Sequence, residues 1–421
     1  MITRVEALGY RCLRYVSQPL EPFHVLVGPN ASGKTTFLDV VAFLGRLVSD
    51  GPDAAIEERT QNFYDLVWRG KGTQFELAIE AQVPAALQPS GIDAEIDTVR
   101  YEVTLSIDSK TQERGLYAER VILKKSMADP QSPGFPKGNT IPLTLSAPKD
   151  DGRQSLEVLD RIYSEVILPG FGPVLRRSAL GMAKGLPGFG PRQSMPGNLP
   201  GDESIFSVIL WLREILTSGG VQPLTLNSAL IRRASPPGQG LGLRSDGSNL
   251  PWVVADLRQK SPERFRQWIA HLQTAFPDLQ DINTIERPED RHRYLVLQYG
   301  EGLEVPSWMA SDGTLRMLAL TLPAYLEGFK GIYLIEEPEN GIHPRAIETM
   351  TQSLSSVYDA QVLLATHSPV VLSTVEAEQI LCFSKNADGA TNIIRGSEHP
   401  ALRSWKHETT LGTLFAAGVL G

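Results

Sequence analysis

Apolar and polar positions change rhythm three times along the chain. Up to about residue 122, short alternating stretches dominate, broken by one helical stretch. Residues 23–27, Phe-His-Val-Leu-Val, form an apolar run closed by Gly28, the pattern of a buried strand. Residues 36–48 then place apolar side chains at helical spacing. Alternation returns in 74–81 and 100–107, and the latter is predicted to pair with 117–122. That predicts an antiparallel sheet beside the first strand–helix unit.

The rhythm is lost from about 126 to 243. Between Pro130 and Gly201 stand 11 Pro and 11 Gly, roughly twice their average usage. One helix is predicted over 203–217, with Ile205, Val208, Ile209, Leu212 and Ile215 on one side. The rest reads as irregular loops, too long for ordinary connections inside a domain, so a surface insertion is expected. From 244 onward, strands at 293–298, 331–335, 361–365 and 379–383 alternate with helices at 262–276, 314–326, 345–358 and 370–375. Such alternation predicts an α/β fold with a mostly parallel sheet flanked by helices. The expected division is 1–125, a loop-rich insertion at 126–243, and 244–421. No internal repeat and no heptad run long enough for a coiled-coil arm is visible.

Composition narrows the function. The 421 residues carry 40 basic and 48 acidic side chains, a formal charge of −8. The chain is therefore no polycation, and nucleic-acid contact would need a local basic patch. No apolar run approaches the roughly 20 residues that span a bilayer. The first seven residues alternate like a strand and lack the apolar stretch of a secretory signal, so no membrane is expected. Cys12 and Cys382 cannot build a disulfide framework or a four-thiolate metal site, and a cytoplasmic location is the expectation.

Two segments carry chemistry by themselves. Gly28-Pro-Asn30-Ala31-Ser32-Gly33-Lys34-Thr35 fits G-x-x-x-x-G-K-[ST], follows a strand and opens a helix. Backbone N–H groups of such a turn, from Asn30 to Thr36, cradle phosphate oxygens at the positive end of the helix. Lys34 is expected to reach the β- and γ-phosphates, and the Thr35 hydroxyl to help hold Mg²⁺. Ile332-Tyr-Leu-Ile-Glu336-Glu337 is an apolar strand ending in two carboxylates. Glu336 is assigned to the metal shell and Glu337 to general base or water positioning. Two further patches gain meaning from their order. Ser311-Asp-Gly313-Thr-Leu-Arg316 opens a helix with a good N-cap, and Thr366-His367 places an imidazole after an apolar strand. Taken singly, Ser311 is a cap and His367 a loop histidine.

Together the four patches resemble those of ABC-type ATPases of the SMC, RecF and OLD kind, within the broad AAA group. Among these the chain is most similar to compact ATPases often linked to bacterial anti-phage defence. The likeness covers about 1–122 and 244–421. It implies a P-loop NTPase head of ABC type with an added antiparallel sheet and a Pro/Gly-rich insertion. It also implies ATP and Mg²⁺ as ligands, with 28–35 as Walker A and 332–337 as Walker B. Ser311 and Gly313 match the signature that contacts the γ-phosphate held by a second subunit. Residues 337–344 match the D-loop junction, His367 matches the switch histidine, and the tail 411–420 is similar as well. Glu336 stands where many relatives have Asp. Gln61 is a candidate for the Q-loop glutamine, and Arg69 for a separate nucleotide contact. Neither a Toprim nuclease domain nor coiled-coil arms are seen, and SDGTLR differs from the transporter signature.

The implied function is an ATP-driven switch whose heads associate as a homodimer or higher homo-oligomer. In defence it would be a sensor or scaffold beside a separately encoded effector, a nuclease or toxin. The alternatives are a RecF-like DNA-binding ATPase of repair, or a scaffold that binds ATP and hardly turns it over. Arg176, Arg177, Lys184, Arg192, Arg232 and Arg233 are candidates for nucleic-acid or acidic-partner contact, and equally for solvated surface.

Overall fold

The alternating segments of the N-terminal third pair as antiparallel strands. The computed structural model describes residues 1–88, 96–125, 141–145, 155–162, 165–167, 192–199, 203–217, 219–240, 242–403 and 410–419. Two units emerge, one of 1–21, 30–221 and 383–393, the other of 22–29, 222–382 and 394–421. Arg176, Arg177 and Lys184 lie outside the described residues.

In the first unit, β1 (Ile2–Tyr10), β2 (Leu13–Pro19), β4 (Gln74–Gln82), β5 (Thr98–Ile107), β6 (Arg114–Lys124), β7 (Ser155–Ile162) and β8 (Glu165–Ile167) form one sheet. Its order is β2-β1-β4-β5-β6-β7-β8, antiparallel throughout. The expected pairing of 100–107 with 117–122 is present as β5–β6. Across the sheet lies α1 (Lys34–Glu57), which buries Phe37, Val40, Val41, Leu44, Leu47 and Val48 at helical spacing. Near its end, Gly51 leaves helical geometry just before Pro52, so the helix kinks there. Tyr10, Phe43 and Phe75 pack ring to ring at 5.0–5.9 Å between centroids. The Tyr10 hydroxyl donates to Asp39 at 2.6 Å, and Asp39 also takes Arg59 Nε at 2.7 Å. Burial first, and then the Asp39 charge, pushes the Tyr10 phenol well above its ordinary range. The opposite face of the sheet is polar yet buried, with Arg100 held by Glu6, Glu80 and Glu102.

Another sheet consists of β3 (Phe23–Val27), β9 (Val221–Leu224), β13 (Ile332–Glu336), β14 (Gln361–Ala365), β15 (Ile380–Lys385) and β16 (Thr391–Arg395). The order is β16-β15-β3-β14-β13-β9. The pairs β15–β3, β3–β14 and β14–β13 are parallel. Strands covered on both faces read as continuous apolar runs, as β3 and β14 do with all five residues buried. The first unit also holds α2 (Glu203–Leu216); the helices of the second include α3 (Leu250–Lys260), α4 (Pro262–Gln273), α5 (Asp312–Thr321) and α6 (Pro344–Ser355). Trp268 of α4 is fully buried, and its indole N–H donates to Thr321 Oγ1 of α5 at 2.9 Å. That bond satisfies the one polar atom of a side chain otherwise suited to the core. Among the described residues no helix is long and apolar enough to cross a membrane.

One expectation is corrected. Residues 293–298 do form a strand, but not in the parallel sheet. It is β11 (Arg293–Tyr299), the middle of a separate sheet with β10 (Leu279–Glu286) and β12 (Glu304–Pro306), antiparallel on both sides. Its neighbours are reached by short turns, which suit antiparallel pairing; a parallel partner would need a crossover of about a dozen residues.

Candidate functional site

Parallel pairing brings three strand ends to one edge of the second unit. Glu336 lies opposite Ala365, and Ala365 opposite Leu26, so β13, β14 and β3 finish level. Glu337 N donates to Ala365 O at 2.8 Å, and Thr366 N to Leu26 O at 3.1 Å. The segments leaving this edge are the Gly28 turn, the Glu337–Asn340 turn and the Thr366–His367 loop. In open α/β sheets this carboxyl edge is where ligands bind.

The turn after β3 has left-handed backbone at Gly28 (φ 147°), Ala31 (φ 59°) and Gly33 (φ 107°). Phe37 N donates to Gly33 O at 2.8 Å, which starts α1. Within the first unit the turn is held from behind. Thr391 Oγ1 donates to Ser32 O at 2.9 Å, and the Cys12 thiol lies 3.4 Å from Thr36 Oγ1. Ser32 Oγ is buried with no hydrogen-bond partner among the described residues. Lys34 is buried at 6% exposure, whereas Asn30, Ala31 and Thr35 are exposed and Thr36 half-buried. A Cβ on Gly33 would meet Thr391 Oγ1 at 2.2 Å and Cys12 Sγ at 3.1 Å. Gly33→Ala is therefore expected to cost about 1–3 kcal/mol, from left-handed strain and overpacking together. A lowered midpoint in thermal melts would show it, and an unchanged midpoint would contradict this packing.

Glu336 and Glu337 are both exposed at the end of β13. Glu337 has φ 46°, a left-handed conformation that a glutamate rarely adopts, and Asn340 Nδ2 donates to its Oε2 at 2.6 Å. Strain of that kind is kept where the surrounding structure requires it, most often at functional sites. Two residues on, Glu339 Oε1 accepts from Thr366 Oγ1 at 2.6 Å and from His367 N at 3.1 Å.

Ser311 caps α5, its hydroxyl accepting from Thr314 N at 3.1 Å. Gly313 is needed for close approach, since a Cβ there would lie 2.5 Å from Gly341 O. The signature-like turn thus packs directly on the turn after β13. Arg232 bonds Asp312 and donates to Trp308 O at 3.2 Å, bracing the start of α5. Burial lowers the Arg316 guanidinium from its usual range, while Asp312 and Glu339 pull it the other way. Arg192 pairs with Asp53 at 3.6 Å in the first unit. Arg69, with φ 55°, bonds Asp388 O and stacks on Trp68, and Gln61 is exposed.

Sequence reasoning assigned no role to Glu339, Asn340, Thr391 or the Arg232–Asp312 pair. Glu339 and Asn340 stood inside the quoted 337–344 segment and were open to recognition. The other contacts join residues too distant in sequence to suggest one another.

Fold comparison of the chain finds SMC head domains. Over 93% of its length it superposes on the Smc head bound to the C-winged helix domain of ScpA, covering 97% of that chain with TM-score 0.53 and 13% identity. The Smc head with an extended coiled coil, bound to the C-terminal domain of ScpA from Pyrococcus furiosus, matches with TM-score 0.51, 13% identity and 93% and 95% coverage. The fold is therefore that of an SMC head domain. Residues 23–165 and 222–373 match the family described as "AAA domain, putative AbiEii toxin, Type IV TA system", and the chain belongs to that family.

Two curated proteins are similar over shorter stretches. The Retron Vc95 probable ATPase of Vibrio cholerae serotype O1 biovar El Tor is 34% identical over 129 residues, 26% of this chain and 25% of that protein. Protein ea59 of Escherichia phage lambda is 27% identical over 157 residues, 36% of this chain and 30% of that protein. The matches thus span about a quarter to a third of these relatives.

Proposed function

We propose that this chain is an ATP-driven molecular switch. ATP joins two heads, and hydrolysis through Glu337 releases them. The observation that carries the reading is the strained Glu337 at the end of β13, level with the loop that bears His367 after β14. One end of the sheet thus presents a general base, an imidazole and the entry to a phosphate-binding turn.

The residue roles follow from the chemistry. Backbone N–H groups from Asn30 to Thr36 and the Lys34 ammonium bind phosphate oxygens at the start of α1. Ser32 Oγ, buried and lacking a partner among the described residues, suits a turn completed by a polar ligand. Thr35 and Glu336 are the candidates to hold Mg²⁺. Among the described residues no cluster of three or more His, Cys, Asp or Glu could hold a metal. A site of one or two protein ligands plus substrate phosphates is the arrangement Mg²⁺ prefers. When bound, Mg²⁺ neutralises charge on the phosphate oxygens. Glu337 Oε2, held by Asn340, orients the attacking water and takes its proton. His367 follows β14 at the same edge and stabilises the γ-phosphate end. Ser311 and Gly313 serve a second copy's nucleotide, at the N-terminus of a ten-residue helix.

The family description and the retron ATPase support a role in a defence system, as sensor or scaffold for a separately encoded nuclease or toxin. Arg192 and Arg232 pair with Asp53 and Asp312, so part of their charge is offset. The free thiols of Cys12 and Cys382 fit a reducing cytoplasm.

Glu337→Gln tests this reading. The variant should bind ATP yet turn over at least ~100-fold more slowly, the scale of losing a positioned general base. Light scattering should show ATP-dependent association that persists, because the γ-phosphate is no longer removed. If Glu336→Gln gave this behaviour and Glu337→Gln hydrolysed normally, the order of the two carboxylates would be reversed.

A further inference from the structure

Glu339 ties two separate turns of the second unit together, and its role is open. It lies two residues after Glu337, in the turn leaving β13, and reaches across to the loop leaving β14. Its Oε1 receives both the Thr366 hydroxyl (2.6 Å) and the His367 backbone N–H (3.1 Å). Thr366 is fully buried, and its Oγ1 in turn accepts from Ser368 N at 2.9 Å. The loop around His367 is thus fixed on both sides by one acceptor and one hydroxyl.

The other oxygen argues that this is more than packing. Oε2 is buried and has no hydrogen-bond partner among the described residues. A buried acceptor left unsatisfied is costly, so stability alone would favour a different residue here. The same turn binds Glu337 through Asn340, so one short segment fixes both the base and the imidazole.

Resting on the ATPase reading above, we propose that Glu339 is a positioning residue that sets the His367 imidazole for turnover. Its assigned part is played through the loop and not on the nucleotide or the attacking water. Through Oε1 it fixes the height of the His367 backbone, and with it the place of the ring at the sheet edge. Small displacements of positioned groups can cost about 100-fold in rate.

A double-mutant cycle on the full chain tests this, reading steady-state ATPase activity and the affinity for a fluorescent ATP analogue. Glu339→Ala should lower kcat by ~10- to 100-fold, with analogue affinity nearly unchanged. Glu339→Gln keeps an oxygen that can accept from Thr366 and His367, and should restore most of the turnover. In a His367→Ala background, Glu339→Ala should add little, because the group it places is gone. Thermal melts of each variant identify any that fail to fold. If Glu339→Ala does, Glu339→Asp takes its place in the cycle, its shorter side chain no longer reaching both donors and kcat expected to fall in the same way. The proposal is overturned if Glu339→Ala turns over like wild type, or if its cost is the same with and without His367. Full turnover by His367→Ala would overturn it too. Failure of the ATPase reading itself would look different: Lys34→Ala would then leave nucleotide affinity intact.

Discussion

Lys34→Ala is expected to weaken ATP binding by roughly 100-fold or more. Lys34 is the first residue of α1 and only 6% exposed, so its ammonium acts where little water screens it. A hydrogen bond from a charged donor is worth up to about 3 kcal/mol, and each 1.4 kcal/mol is a factor of ten. The backbone cradle and the helix terminus would remain, so residual weak binding is the expected floor. Titration with a fluorescent nucleotide measures the effect, and a thermal melt shows whether the fold survives. Affinity equal to that of wild type would remove the phosphate-loop assignment and the switch with it.

Much of this site was legible because its chemistry sits where strands end. The Gly28–Thr35 turn, the Glu336-Glu337 pair and Thr366-His367 each follow an apolar run, and runs of four or five buried residues are hard to mistake. What stayed hidden was set by contacts distant in sequence. Glu339 is 27 positions from Thr366, and Arg232 is 80 from Asp312, so neither pairing has a local signature. Arg232 read as half of a basic pair, although in the fold its charge is used against Asp312. Helix α3 was not predicted; its Pro251 sits in the first turn, where a missing N–H costs nothing. The strand at 293–299 was found but given to the wrong sheet, since apolar periodicity says nothing of partners. The left-handed backbone of Glu337 had no sequence signal at all, because glutamate is not a residue that favours it.

Ser311→Arg should stop hydrolysis while leaving ATP binding by an isolated subunit intact. In this structure the Ser311 hydroxyl caps α5, accepting from Thr314 N, and the residue is exposed. Loss of the cap costs about 1 kcal/mol, an effect that Ser311→Ala shares and thereby controls for. What Arg adds is bulk and positive charge at the helix N-terminus that would receive a second copy's γ-phosphate. The neighbouring Gly313 leaves no slack, because a Cβ there would already press on Gly341 O at 2.5 Å. Steady-state ATPase activity should therefore fall to background in Ser311→Arg and only partly in Ser311→Ala. Mixing Ser311→Arg with Lys34→Ala sharpens the test. In a mixed dimer, one composite site combines an intact Lys34 with the partner's intact Ser311, while the other site carries both lesions. Activity should then reappear in the mixture although neither variant has it alone, provided one site can fire by itself. Full activity in Ser311→Arg would mean that the site is not shared between copies, and association of heads through ATP would no longer follow from it.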